Sequence, residues 1–249
     1  MRIVGLLAFY DESPSWLSTA VSGMARVCDE IVACDGAYSL YPGGRARSRP
    51  DQSEAILGAA EAAGAGCTIH RPKDVFHGQE VAKRNLLLGL AAPLEPDWVV
   101  VFDADMHVLQ TYPDVVRRDL GATGCNVATY TILDGADMLA EPDRAGLAAR
   151  VPLDTEWTNK FRGIYRWLPA LEYGPTHFSV SGYSGGERVW LRGALPSDIA
   201  PACDLGKSLV VHHRRDQRAL VRRQAADRYC VARTAAGYEA ADNKEMLVT

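Results

Sequence analysis

The run Trp-Val-Val-Val-Phe-Asp-Ala-Asp at residues 98–105 constrains the fold of this chain more than any other segment. Its apolar residues do not alternate with polar ones, which is typical of a strand buried on both faces of an α/β sheet. The two acids that end it are predicted at the carboxyl edge of that sheet, where ligands bind. Their oxygens suit one divalent cation, which can hold a diphosphate. A solvated turn is the competing interpretation, because Asp-x-Asp is common by chance.

The first half of the chain alternates predicted strands and helices. Strands are predicted at residues 3–9, 30–35, 67–70 and 97–102, and helices at 13–27, 53–63 and 79–91. This order favours an α/β fold with a mostly parallel central sheet flanked by helices.

The second half is less regular. Strands are predicted at residues 126–133 and 208–211, a loop or weak helix at 136–150, a glycine-rich loop at 182–186 and a long Arg-rich helix at 214–235. We expect a single domain over residues 1–249. Residues 1–108 would bind a nucleotide, and residues 109–249 would complete the site on the acceptor side.

Charge and composition exclude several classes of function. The chain has 249 residues and a formal net charge of −4, so we expect no nucleic-acid partner. No apolar run approaches the roughly 20 residues of a transmembrane helix. The six cysteines are scattered without a Cys-x-x-Cys pair, which favours reduced thiols in a cytoplasmic protein.

Acids follow three of the predicted strands. These are Asp11-Glu12, Asp35 and the pair Asp103 and Asp105, and a parallel sheet would bring them to one edge. Capping of the following helices is the alternative explanation. A diphosphate also needs basic partners, and Lys83 and Arg84 precede the key strand. A solvated helix face is the alternative for these two residues.

Several motifs in this order resemble the family 2 glycosyltransferases of the GT-A fold. The segment 4–13 resembles the first strand of that family, which usually ends in Asn-Glu where this chain has Asp11-Glu12. Asp35 matches the acid after the second strand, residues 76–85 resemble the helix that ends in Arg-Asn, and Asp103-Ala104-Asp105 matches the metal-binding motif. The resemblance covers residues 3–108 well. It is looser at 165–173 and at 209–213.

The resemblance implies transfer of a sugar from a UDP- or GDP-type nucleotide-diphosphate sugar to an acceptor of unknown kind, normally with inversion. It implies Mn²⁺ or Mg²⁺ as cofactor, with Asp103, Asp105 and His212 or His213 as ligands, and an imidazole ligand favours Mn²⁺. The implied donor-binding residues are Ala8, Tyr10, Glu12, Asp35, Gly36, Lys83, Arg84, Asp103 and Ala104. The implied acceptor-side residues are Trp167, Tyr173 and His177.

The catalytic base is open at this point. An inverting enzyme needs a carboxylate to take the acceptor proton. Many members of the family have His-Glu where this chain has His177-Phe178, so the acid must come from elsewhere. The second half offers the acids Asp134, Asp154, Glu156, Glu172 and Glu187, and the sequence does not choose among them; Glu172 and Asp134 are the candidates that we name. A nucleotidyltransferase of similar architecture and a non-catalytic nucleotide- or sugar-binding module remain the alternative functions.

Overall fold

The computed structural model describes residues 1–39, 45–76, 79–134, 158–174, 179–192 and 202–212. Three of its helices begin with proline, at Pro14, Pro50 and Pro113, because the missing N–H of proline costs nothing in the first helical turn. The helices are α1 (Pro14–Met24), α2 (Pro50–Ala62), α3 (Gln79–Ala91) and α4 (Pro113–Ala122). The strands are β1 (Ile3–Ala8), β2 (Glu30–Cys34), β3 (Gly66–His70), β4 (Trp98–Asp103), β5 (Met106–Gln110), β6 (Val127–Asp134), β7 (Thr158–Arg166), β8 (Glu172–Tyr173), β9 (Val180–Ser184), β10 (Glu187–Arg192) and β11 (Ala202–His212).

The central sheet has the strand order β3-β2-β1-β4-β7-β6-β11-β5. The first four strands in this order are mutually parallel, and β6 and β11 run in the same direction. Only β7 and β5 run against them within the described sheet. The predicted α/β class with a mostly parallel central sheet is therefore confirmed.

An apolar layer covers each face of the central sheet. Strand β4 contributes to both layers, because its successive side chains point to opposite faces. Trp98, Val100 and Phe102 belong to the layer under α1, α2 and α4, whereas Val99 and Val101 belong to the layer under α3. The second layer also includes residues of a three-stranded sheet with the order β10-β9-β8. The prediction that this strand is buried on both faces is confirmed, since its five apolar residues are all buried.

The structure corrects one local expectation and leaves others outside the described residues. Residues 182–186, predicted as a loop, belong to the antiparallel hairpin of β9 and β10, with Gly185 and Gly186 at positive φ in the turn. Residues 136–150 and 214–235 lie outside the described residues. Among the described helices, none is long and apolar enough to cross a membrane.

Candidate functional site

Three acidic segments meet at one edge of the central sheet. Ala8 ends β1 and lies in register with Cys34 of β2 on one side and Asp103 of β4 on the other. Because these strands are parallel neighbours, the residues that follow them emerge side by side. The edge therefore carries Asp11-Glu12, Asp35-Gly36 and Asp103-Ala104-Asp105, as their positions at strand ends predict.

Asp103 is paired with Arg84. The alternation along β4 directs Asp103 to the face covered by α3, and α3 carries Arg84. Arg84 Nη2 donates to Asp103 Oδ1 over 2.8 Å and lies 3.9 Å from Glu80 Oε2. Burial on its own lowers the pKa of Arg84, but the carboxylates of Asp103 and Glu80 contribute to a net pKa well above the usual range. The site therefore contains a permanent cation.

Asp105 lies in the short turn between β4 and β5. Its side chain is buried, as is that of Ala104 before it, whereas the Asp103 side chain is 32% exposed. The two acids of the motif therefore differ in environment, and Asp103 is the more accessible. Among the described side chains, no three His, Cys, Asp or Glu residues form a group able to hold a metal ion.

Strand register brings His212 to the same place. His212 at the end of β11 is in register with Met106 of β5, the residue directly after Asp105. On its other side His212 is in register with Asp134, the last residue of β6. The backbone of His212, a predicted metal ligand, thus lies between that of Met106, which follows Asp105, and that of Asp134, a predicted catalytic base. His213 lies outside the described residues.

Lys83 is buried beneath the edge, not on a solvated helix face. Its Nζ donates to the carbonyl oxygens of Phe9 at 2.6 Å and Gly36 at 2.8 Å. The rings of Tyr38 and Phe76 lie 5.3 and 5.9 Å from the same nitrogen. Burial of the ammonium lowers its pKa to about 8. Through these two hydrogen bonds Lys83 connects the segment after β1 to the segment after β2.

Asp35 is also surrounded by protein donors. The residue is wholly buried, and its Oδ1 accepts from the Gly36 N–H at 2.7 Å and from Ser48 Oγ at 2.6 Å. Its Oδ2 accepts from the Ser48 N–H at 2.9 Å and pairs with Arg71 Nε at 3.4 Å. Asp35, which the resemblance implies binds the donor, is thus hydrogen-bonded to the loop at residues 45–49, which crosses this edge of the sheet.

Two other residues implied to bind the donor, Tyr10 and Glu12, contact the same loop or the start of the helix that follows it. The Tyr10 hydroxyl donates to the carbonyl oxygen of Arg45 over 2.8 Å. The backbone N–H of Glu12 donates to Gln52 Oε1 of α2 over 3.0 Å, and Glu12 is largely buried. The first turn after β1 is therefore held against residues 45–52.

The acceptor-side residues divide between two environments. Tyr173 is buried, with the guanidinium carbon of Arg84 5.8 Å from its ring centroid. Its neighbour Glu172 is exposed and pairs with Arg188 of β10 over 2.8 Å. Because successive strand side chains point to opposite faces, Glu172 points away from the buried side of β8. Trp167 packs against the apolar layer under α3, and His177 lies outside the described residues.

Several residues at this edge were not found from the sequence. Asn85 fixes β8, since its side chain accepts from the Tyr173 N–H at 2.7 Å and donates to the Tyr173 carbonyl at 2.8 Å. Ser48 and Arg71 bind Asp35. Arg71 directly follows β3, so the rule that sites lie at the carboxyl ends of parallel strands points to it. No local pattern points to Ser48.

Comparisons with known proteins yield only partial structural likeness. No protein-family model and no curated protein matches the chain. A Staphylococcus aureus TarS fragment (residues 1–349) in complex with UDP-GlcNAc has 14% identity and a TM-score of 0.37, covering 55% of this chain and 35% of that one. The crystal structure of a mycobacterial protein has 17% identity and a TM-score of 0.41, covering 89% of this chain and 69% of that one. Glucosyl-3-phosphoglycerate synthase from Mycobacterium tuberculosis, with Mn²⁺, UDP and product, has 17% identity and a TM-score of 0.27, covering 54% and 44%.

This chain therefore spans about a third of the length of the TarS fragment. At these identities and TM-scores the matches assign neither a family nor an activity to the chain.

Proposed function

We propose that the protein is a metal-dependent glycosyltransferase of the GT-A type, which moves a sugar from a nucleotide-diphosphate sugar to an acceptor hydroxyl or similar nucleophile with inversion. The observation that carries the proposal is the meeting of the Asp103-Ala104-Asp105 turn with His212 and Asp134. The support is backbone register: His212 at the end of β11 pairs with Met106 of β5, directly after this turn, and with Asp134 at the end of β6. The motif resemblance to family 2 is consistent with this assignment.

We infer that a divalent cation would bind at this edge. Asp105 and Asp103 would supply carboxylate oxygens, and His212 would supply an imidazole, a combination that favours Mn²⁺ over Mg²⁺. The cation would neutralise charge that develops on the leaving diphosphate. Arg84 would act on the same charge, since its guanidinium is held 2.8 Å from Asp103.

The nucleoside of the donor would lie beside Tyr10, Glu12 and Gly36, where β1 and β2 end. Its base, either uracil or guanine, would stack or hydrogen-bond there, and the diphosphate would extend toward Arg84. The pairing of Ala8 with Asp103 places these two parts of the site on adjacent strands.

We favour Asp134 over Glu172 as the catalytic base. In an inverting transfer the acceptor oxygen bonds to the anomeric carbon as the bond to the diphosphate breaks, and a carboxylate takes the acceptor proton. Asp134 is in register with His212. Glu172 instead engages Arg188 on the exposed side of β8.

The test is a thermal-shift panel with UDP, GDP, CDP and dTDP at millimolar concentration, each with and without Mn²⁺. We expect one diphosphate to raise the melting temperature only when the metal is present, which also identifies the base. Asp105→Asn should abolish this metal-dependent shift, and Asp74→Asn, a change at an exposed loop acid, should preserve it. A flat response to all four nucleotides would remove the proposal.

A further inference from the structure

Ser48 occupies a central position above the ends of β1 and β2. Its Oγ donates to Asp35 Oδ1 over 2.6 Å and accepts from the backbone N–H of Asp11 over 2.8 Å. Both Ser48 and Asp35 are buried. One hydroxyl therefore joins the segment after β1 to the segment after β2.

The Asp35 carboxylate has its acceptor positions filled by this loop. The N–H groups of Gly36 and Ser48, the Ser48 hydroxyl and Arg71 all donate to it. A carboxylate accepts about four hydrogen bonds, so these donors use its capacity. Arg71 Nη2 also donates to the Ser48 carbonyl over 2.7 Å, so Arg71 binds both Asp35 and Ser48. We call Ser48, Asp35, Asp11 and Arg71 the Ser48 latch.

The rest of the crossing segment, residues 45–47, is attached to the same edge. The Arg45 carbonyl accepts from the Tyr10 hydroxyl at 2.8 Å, and the Ala46 carbonyl accepts from the Ala37 N–H at 3.4 Å. The contacts are with Tyr10, two residues after the end of β1, and with Ala37, three residues after the end of β2. The segment therefore lies across the two strand ends where the nucleoside of the donor is proposed to bind.

The backbone at Asp11 gives an independent reason for the latch. Asp11 has a φ of +48°, in the left-handed region that non-glycine residues rarely adopt. Such a conformation persists when neighbouring contacts hold it. The Ser48 hydroxyl supplies that contact through the Asp11 N–H.

We propose that Ser48 is a positioning residue for donor binding: through Asp35 and Asp11 it holds residues 45–49 across the ends of β1 and β2 and so shapes the nucleoside end of the site. Asp35 then serves as the buried anchor of this segment. The inference rests on the proposed function for its ligand, but the latch itself is a property of the fold.

Limited trypsin digestion tests the latch without any ligand. The crossing segment offers cleavage sites after Arg45 and Arg47, whereas Arg49 is followed by proline. Mass spectrometry measures the rate of cleavage after Arg45 and Arg47. We expect this rate to be about tenfold higher in Ser48→Ala than in the wild type. Ser53→Ala is the matched control, because Ser53 on α2 is buried and its Oγ has no hydrogen-bond partner among the described residues. Equal cleavage rates in Ser48→Ala and wild type would overturn the latch.

Nucleotide affinity tests the positioning role. Using the nucleoside diphosphate identified by thermal shift, calorimetry well below the melting temperature should show a dissociation constant at least about tenfold higher in Ser48→Ala. The same loss should be largely absent when Ser48→Ala is added to Asp35→Asn, since both changes release the same segment. A merely destabilising effect would leave the affinity at low temperature unchanged.

The outcomes separate the two proposals. Faster cleavage with weaker nucleotide binding supports the positioning role. Faster cleavage with unchanged affinity overturns that role and leaves the proposed function intact. A wild type that binds none of the nucleotides overturns the proposed function and the positioning role together, and the digestion still decides whether the latch exists.

Discussion

Arg84 Nη2 of α3 donates to Asp103 Oδ1 of β4 over 2.8 Å, so the first acid of the Asp-Ala-Asp motif is charge-paired within the protein itself. The pair joins a helix to the edge where β1, β2 and β4 end. It also sets a cation and a carboxylate side by side at this edge.

Asp103→Asn should destabilise the fold as well as impair the site. The change leaves the buried guanidinium of Arg84 with Glu80, 3.9 Å away, as its remaining carboxylate among the described contacts. We expect the free energy of unfolding to fall by about 2 kcal/mol in urea titrations. Asp74→Asn, at an exposed loop position, should change it by less than about 0.5 kcal/mol. An unchanged stability in Asp103→Asn would show that the ion pair does not form in solution.

Lys83 should make stability depend on pH in the alkaline range. Its ordinary pKa of 10.5 falls to about 8 in the folded protein because the ammonium is buried. Between these values the unfolded chain holds the proton and the folded chain has lost it, so the free energy of unfolding rises with pH. The slope from this group is at most about 1.4 kcal/mol per pH unit.

The measurement is chemical unfolding from pH 7.5 to 10, with Lys83→Met subtracted from the wild type. The difference should grow in favour of the wild type as the pH rises through 8. Lys73→Met removes an exposed lysine and should leave the wild-type pH profile unchanged. A flat difference curve between wild type and Lys83→Met contradicts the prediction.

His212 and His213 should differ as metal ligands. We favour His212, because its backbone is in register with that of Met106, the residue directly after Asp105. In His212→Ala, the Mn²⁺ concentration for half-maximal nucleotide-dependent stabilisation should rise about tenfold or more. His213→Ala is the neighbouring control and should respond like the wild type. The reverse order of effects would assign the ligand to His213.

The two candidate bases should separate in a transfer assay. Asp134→Asn should lower kcat by about 100-fold or more while nucleotide binding is retained, because only proton removal is lost. Glu172→Gln should keep a kcat close to that of the wild type, since Glu172 is exposed and paired with Arg188. A large loss in Glu172→Gln with little in Asp134→Asn would reverse the assignment.

Gly36 and Gly89 should respond oppositely to alanine. Gly36 has a φ of +123°, and an added Cβ would lie 2.7 Å from ring atoms of Phe76 and Pro72. Gly36→Ala should therefore reduce the free energy of unfolding by about 2 kcal/mol. Gly89 lies within α3 with nothing within 4 Å of an added Cβ, so Gly89→Ala should stabilise by about 1 kcal/mol. Thermal unfolding of both variants checks the pair, and equal effects would contradict the geometry at Gly36.

Local patterns accounted for β1 to β4 and α1 to α3, whereas β5 and α4 were not predicted. The uninterrupted apolar run before Asp103 predicted a strand buried on both faces, and the predicted helix at residues 79–91 matches α3. The start of α2 was placed three residues late, because Pro50 supplies the first helical position ahead of Ser53. The expected loop at residues 182–186 is instead part of a hairpin, since its strands pair with each other through a two-glycine turn.

What the sequence by itself determined is therefore the alternation of strands and helices and the acids at the strand ends, because both depend on periodicity and on the order of elements along the chain. The tertiary structure decided which acids are already engaged. Asp35 is held by Ser48 and Arg71, residues 13 and 36 positions away, and Asp103 by Arg84, 19 positions away. It also decided that the backbone of His212 pairs with that of Met106, the residue after Asp105, through a strand pairing across about a hundred residues. Contacts of this kind arise from the packing of distant segments, and no local pattern encodes them.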